Sequence, residues 1–220
     1  MPSRAKGTSV VLASVYCRRW PSQAFLYIAR TESEAPSACK IGQESAGYFA
    51  LSGLVDDRLS SYNADTLAHN AMAQGGTLEQ GVSRFIDMAS GPLAKAVEAV
   101  KRDFPAQYEF LRKGHPALQA IFADKENGPA SLAVAQISVG PDGSLVPSAR
   151  MIAAGDDGRG PRIIYAGAQS HIRDYLREHR DWSNEDQTAL VRKLVDLEIG
   201  HSSGEVGGPV DIVRITPSGA

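Results

Sequence analysis

Thr8 follows Gly7 and opens an apolar run, Ser9-Val10-Val11-Leu12-Ala13-Ser14-Val15-Tyr16. A threonine that becomes a chain terminus at the head of a strand is a nucleophile with its own base: the hydroxyl attacks and the freed α-amine takes the proton. The same threonine inside an uncut chain is only a β-branched strand residue. Lys40 stands a short way downstream, before a second apolar run that ends in Ser52-Gly53-Leu54. The candidate chemistry therefore depends on whether the Gly7–Thr8 bond is cut.

Other reactive residue types form weaker patterns. His69, His115, His171, His179 and His201 show no HxxxH or HExxH pairing, so no metal site is expected from them. Asp156-Asp157-Gly158 reads as a solvated acidic turn rather than a cation site. Ser52, Ser90 and Ser170 lie in no Gly-x-Ser-x-Gly elbow. Phe85, Met88 and Tyr108 are core or interface material, and no cofactor motif is present. Cys17 and Cys39 lack CxxC spacing and read as two unpaired thiols, with a single disulfide open to them only in an oxidising compartment.

Composition limits the partners. The chain has 220 residues, 43% apolar and 22% charged, which suits one globular domain with a real core. A net charge of −2 gives no electrostatic reason to bind nucleic acid or an anionic membrane. No apolar stretch reaches the roughly 18 residues that a spanning helix needs. The leader Met1-Pro2-Ser3-Arg4-Ala5-Lys6-Gly7 is basic without an apolar h-region, so the sequence as it stands reads as cytoplasmic. A start further upstream would make it secreted or periplasmic.

The elements that must position these residues come in blocks. Strands are expected over Thr8–Cys17, Ala24–Thr31 and Ala46–Leu54. A helix is expected over Tyr62–Gln74, stopped by Gly75-Gly76. Thr77-Leu78-Glu79-Gln80 is a capping box. The helix it opens sets Val82, Phe85, Ile86, Ala89, Leu93, Val97 and Val100 on one face, and Gly91-Pro92 should kink or split it. Strands follow over Ala117–Ala123 and Ser131–Val139, and Pro141-Asp142-Gly143 should turn the chain into a hairpin with Leu145–Ala153. Then come a loop at Asp156–Pro161, a short strand over Arg162–Ala166 and two helices near Ser170–His179 and Asn184–Ile199. The last helix is capped by Ser183 or Asn184, and a final strand runs over Val210–Thr216 after a glycine-rich segment. Blocks of strands and helices, rather than single alternation, point to antiparallel sheets carrying helices on their faces.

This order resembles the proteasome β-subunit type of N-terminal-nucleophile (Ntn) hydrolase. The motifs that carry the resemblance are Gly7-Thr8 before a strand, Lys40-Ile41 ahead of the strand ending in Ser52-Gly53-Leu54, Tyr165-Ala166-Gly167-Ala168 before a helix, and Gly207-Gly208-Pro209-Val210-Asp211-Ile212-Val213. The last is the most specific, and together they span nearly the whole chain. The resemblance implies an α+β fold, a four-layer αββα sandwich of two antiparallel sheets flanked by helices. It implies a leader over residues 1–7 and a single domain over residues 8–220.

The resemblance also implies site roles. Thr8 would be the catalytic nucleophile after removal of the leader, attacking the carbonyl of a peptide or amide substrate. Lys40 would lower the pKa values of the hydroxyl and amine by its positive charge. The backbone N–H of Gly53 would stabilise the oxyanion, and an acyl-enzyme ester would then be hydrolysed by water. No metal or cofactor is implied. Three supporting positions depart from the family: Ala29-Arg30-Thr31-Glu32 stands where an acidic residue closes the second strand, Ala168 (with Ser170 nearby) where a serine precedes the third helix, and Ser203 and Val206 where an aspartate and a serine precede Gly-Gly. The alternative is a non-catalytic Ntn-fold subunit acting through self-assembly or partner binding, with a homo-oligomeric ring as the family's form.

Overall fold

The computed structural model describes residues 10–17, 41–44, 47–57, 62–124, 131–153, 163–164, 170–201 and 206–215. In chain order these give β1 (Val10–Cys17), β2 (Ile41–Glu44), β3 (Gly47–Gly53), β4 (Asp56–Asp57), β5 (Tyr62–Asn63), α1 (Ala64–Ala73), α2 (Leu78–Asp103), α3 (Pro105–Arg112), β6 (Pro116–Asp124), β7 (Ser131–Val139), β8 (Leu145–Ala153), α4 (Ser170–Glu178), α5 (Gln187–His201) and β9 (Val206–Ile215). The protein is mixed α+β. Its main sheet is antiparallel and five-stranded, in the order β2-β3-β6-β7-β8. β1 pairs with β9, and β4 with β5, as separate antiparallel ribbons.

α2 sets the core. Its capping box forms as the sequence predicts: the Thr77 hydroxyl accepts from the Gln80 amide, and the Gln80 side chain accepts from the Thr77 amide. Val82, Phe85, Ala89, Leu93, Val97 and Val100 are all buried against the sheet, with Ile86 partly buried beside them. The sheet presents small side chains there, Ala117, Ala120, Ala133 and Ala135, so the helix can approach closely. Phe122 fills the remaining space, edge-on to Phe85 with ring centroids 5.2 Å apart. β6 is apolar on both faces: Leu118, Ala120 and Phe122 face the helices, while Ile121 and Ala123 join Ile41 and Tyr48 on the opposite face.

Of the kink or split expected at Gly91-Pro92, the split does not occur: the helix is continuous from Leu78 to Asp103 with Pro92 inside it. An interior proline costs about 3 kcal/mol. Each large apolar side chain buried on either side of it contributes about 1.5–3 kcal/mol. Phe85 and Ala89 before Pro92, and Leu93 and Val97 after it, lie on the same buried face, so continuity wins.

Other boundaries differ from expectation for local reasons. Tyr62 and Asn63 pair with Asp57 and Asp56, and α1 begins only at Ala64, where the Asn63 side chain accepts from the Thr66 amide at 2.8 Å. α3 is an additional helix; Pro105 starts it, and Leu111 and Tyr108 bury its inner face. Trp182–Asn184 forms a 3-10 turn, so neither Ser183 nor Asn184 caps the last helix. Asp186 does, its carboxylate accepting from the Ala189 amide at 2.9 Å. Ile163 and Ile164 carry no strand structure, and the rest of the strand expected over Arg162–Ala166 lies outside the described residues, as do the Ala24–Thr31 strand and the Asp156–Pro161 loop. β9 begins at Val206, and Gly208 and Pro209 are the extra residues of a bulge between the Tyr16–Gly207 and Val15–Val210 pairs.

The β7–β8 hairpin is as expected. Gly143 takes a φ of 85°, and the Gly140 amide donates to the Ser144 carbonyl at 2.7 Å. The Ser144 hydroxyl and amide both donate to the Asp142 carboxylate, which holds it below its ordinary pKa. α5 lies against both β1 and β9, and these two strands approach β2. Among the described residues no helix is long and apolar enough to cross a membrane. Replacing Thr77 by Ala removes one half of the capping box and should destabilise the protein by about 1 kcal/mol in urea unfolding, with the slope of the transition unchanged.

Candidate functional site around Gly53

Of the residues picked out for chemistry, Gly53 is described, and Thr8 and Lys40 lie outside the described residues. Gly53 closes β3 opposite Leu118 and has a φ of 99°. A β-carbon there would sit 2.5 Å from the Ala117 carbonyl oxygen, inside contact distance. Only glycine suits the position, because the backbone is left-handed and the next strand's backbone fills the side-chain space. This steric demand explains the glycine without any catalytic role.

The chain leaving Gly53 is fixed at successive points. The Leu54 amide donates to the Ala117 carbonyl at 2.7 Å. The Leu54 carbonyl accepts from the buried Tyr62 hydroxyl at 2.9 Å. The Val55 carbonyl accepts from the Ala64 amide, also at 2.7 Å. Burial, and then the negative charge of Asp56, push the Tyr62 phenol far above its ordinary pKa, so it stays a neutral donor. A backbone donor needs this kind of pinning to serve an oxyanion, since one that must reorganise gains little.

The register brings a second feature to the same place. Ile41, the residue after Lys40, pairs with Ala50 on β3, so the start of β2 and the end of β3 lie at one end of the ladder. β1, whose first residue Val10 is two positions after Thr8 in sequence, comes near β2. At the opposite end of the β2–β3 ladder, Glu44 and His69 join β2 to α1 through a 2.7 Å contact at His69 Nδ1, and the Phe49 ring meets His69 edge-on.

A further cluster, which no sequence motif marks, is built on a buried acid. Glu198 on α5 is 2% exposed, and its carboxylate accepts from the backbone amides of His171 and Ile172 at 3.1 and 3.3 Å. It thus caps the first turn of α4, where the amides are otherwise unpaired and the helix dipole favours negative charge. His171 Nδ1 lies 3.3 Å from Glu198 and 3.3 Å from the Ser170 hydroxyl, and its ring stacks on His201. Serine, histidine and glutamate are the types of a hydrolytic triad, but both contacts fall on one ring nitrogen. A triad needs the serine and the acid on opposite nitrogens. The cluster is a joint between two helices. Leu190 and Leu194, at helical spacing, are visible in the sequence; Glu198, on the same face one turn later, has no local signal that marks it as buried.

Among the described residues no group of three or more His, Cys, Asp or Glu side chains is placed to hold a metal ion. No protein-family model, curated protein or solved structure matches the chain significantly.

Gly53→Ala should cost about 2 kcal/mol or more in unfolding free energy, because it adds both left-handed strain and a clash with Ala117. Glu198→Ala should cost about 2 kcal/mol, since it strips the acceptors from the His171 and Ile172 amides. Hydrogen exchange should then accelerate at His171 and Ile172 before it does in β6.

Proposed function

We propose that this chain is a proteasome-like Ntn hydrolase that cleaves a peptide or amide bond after losing residues 1–7. The Thr8 hydroxyl attacks the substrate carbonyl, and its own α-amine, directly or through a water, accepts the proton. Lys40 lowers both pKa values by its charge, and the Gly53 amide receives the oxyanion. Collapse of the tetrahedral intermediate breaks the carbon–nitrogen bond, the leaving amine takes the proton from the α-ammonium, and water then hydrolyses the acyl ester left on Thr8. The proposed architecture is the four-layer αββα sandwich, with α4 and α5 outside the β1–β9 pair and α1 and α2 outside the main sheet.

The observation that carries this reading is the pinned left-handed turn at Gly53, at the same end of the ladder as the residue following Lys40. The helix-covered β1–β9 pair beside β2 supports the layering. The second reading is a non-catalytic subunit of the same fold, assembling with its own copies in a ring. It is favoured by Arg30-Thr31 and Ala168, which stand where the family carries the acid and serine that support the lysine and the nucleophile.

Intact-mass measurement separates the two. The hydrolase reading expects a chain that begins at Thr8 and gains the mass of a threonine-reactive β-lactone, with both events lost in Thr8→Ala. A chain that retains Met1 or Pro2 at its start and takes up no lactone overturns that reading and leaves the non-catalytic subunit.

A further inference from the structure

β8 ends the main sheet, and among the described residues no strand pairs with its outer edge. Val146, Pro147, Ser148, Ala149, Arg150 and Met151 are all exposed, Val146 by 49% and Met151 by 41%. Successive strand residues point to opposite faces, so exposure of the whole run means that solvent reaches this margin from both faces, although α2 lies near the strand on one of them. Such an edge offers a row of backbone donors and acceptors that an extended segment can satisfy. We propose that the occupant is β8 of a second copy of this chain, joined antiparallel across a two-fold axis at Ala149 so that the two main sheets become one.

The sequence of β8 selects this partner and register. Pro147 faces Ile137 of β7. Having no N–H, proline fits an intact ladder only with its nitrogen toward the open edge. Residues alternate in direction, so Leu145, Ala149, Met151 and Ala153 also turn their backbone groups outward. With the axis at Ala149, the two Ala149 residues exchange both of their hydrogen bonds. Pro147 then meets Met151 of the second copy and accepts from its amide, and its missing donor falls toward the flank. Ser148 lies opposite Arg150 of the second copy. Moving the axis one residue toward Arg150 sets two guanidinium groups face to face, a destabilising cross-strand pair. Moving it the other way sets Val146 against arginine. Pro147 and Arg150, which blunt the edge against indiscriminate pairing, therefore disfavour the neighbouring registers and favour this self-complementary, isologous arrangement. This contact does not depend on the hydrolase reading.

Sedimentation velocity over a concentration series on the full chain tests it, with Ala149→Pro as the variant. Proline at 149 places its ring on the same open edge as Pro147, so the monomer's ladder is kept while the two central intermolecular hydrogen bonds are lost. The expected result is a dimer whose dissociation constant rises roughly tenfold or more in the variant, with an unchanged circular dichroism spectrum. A second measurement stands whether or not that variant folds. In the wild-type chain the amides of Ala149 and Met151 should exchange more slowly at high than at low protein concentration, and Met151→Lys should abolish the difference. A monomer at every concentration, a dimer indifferent to Ala149→Pro, or concentration-independent exchange at Ala149 and Met151 overturns the proposal.

Discussion

The structure depends on how closely one long helix can approach one sheet. α2 lies over β6, β7 and β8, and β6 and β7 meet it with Ala120, Ala133 and Ala135 rather than with larger side chains. The space that these alanines leave is taken by Phe85, Phe122 and Phe49, whose rings contact one another at offset and edge-on angles. Aromatic pairs of this kind add about 0.5–1.5 kcal/mol beyond the area they bury. The sum over the face is large enough to carry the helix through Pro92. It also holds β6 in the middle of the sheet, between the features of interest: β3, beside it, carries Gly53, and β8, beyond β7, carries the edge that no strand pairs among the described residues.

The turn after Gly53 inherits its rigidity from that core. Ala117 is fully buried in it, and the Ala117 carbonyl both excludes a side chain at Gly53 and accepts the Leu54 amide. Tyr62 closes the other side: it is 1% exposed, and its hydroxyl reaches the Leu54 carbonyl. An unpaired carbonyl at that depth would cost about 1–3 kcal/mol, so the phenol and the turn hold each other in place. The geometry of Gly53 is thus determined by packing and hydrogen bonding alone, and any chemistry performed there would use a rigidity that the fold already requires.

How much of the fold is legible in the sequence follows from how local each cause is. Thr77 and Gln80 sit three residues apart and satisfy each other's amides, so the start of α2 is plain from those residues alone. Pro141-Asp142-Gly143 likewise specifies the β7–β8 hairpin within a few residues. Where expectation and structure part, the cause is remote. Ser183 and Asn184 are good caps, but the chain forms a 3-10 turn there and the helix is capped by Asp186, a choice made by packing of Trp182 and Leu190 in the small α4–α5 core. Pro92 breaks helices when nothing opposes it, and here the opposition comes from β6 and β7. Glu198 looks like a surface residue in sequence, and its burial depends on the amides of a helix that begins 28 residues earlier, at Ser170.

The same distinction governs the site. A left-handed glycine at a strand end leaves a mark in the sequence and in the backbone, and the two agree at Gly53. A nucleophile of the Thr8 type leaves only half a mark, because its base does not exist until a peptide bond is cut. The Ser170, His171 and Glu198 cluster shows why residue types alone are a poor guide. It has every group that a hydrolytic triad uses, within hydrogen-bonding distance of one another, yet the imidazole offers a single nitrogen to both neighbours and cannot pass a proton from one side to the other. Catalytic function in this chain must therefore be argued from directions and from covalent state. On directions, the backbone at Gly53 is fixed; on covalent state, the proposed hydrolase reading rests on the bond between Gly7 and Thr8.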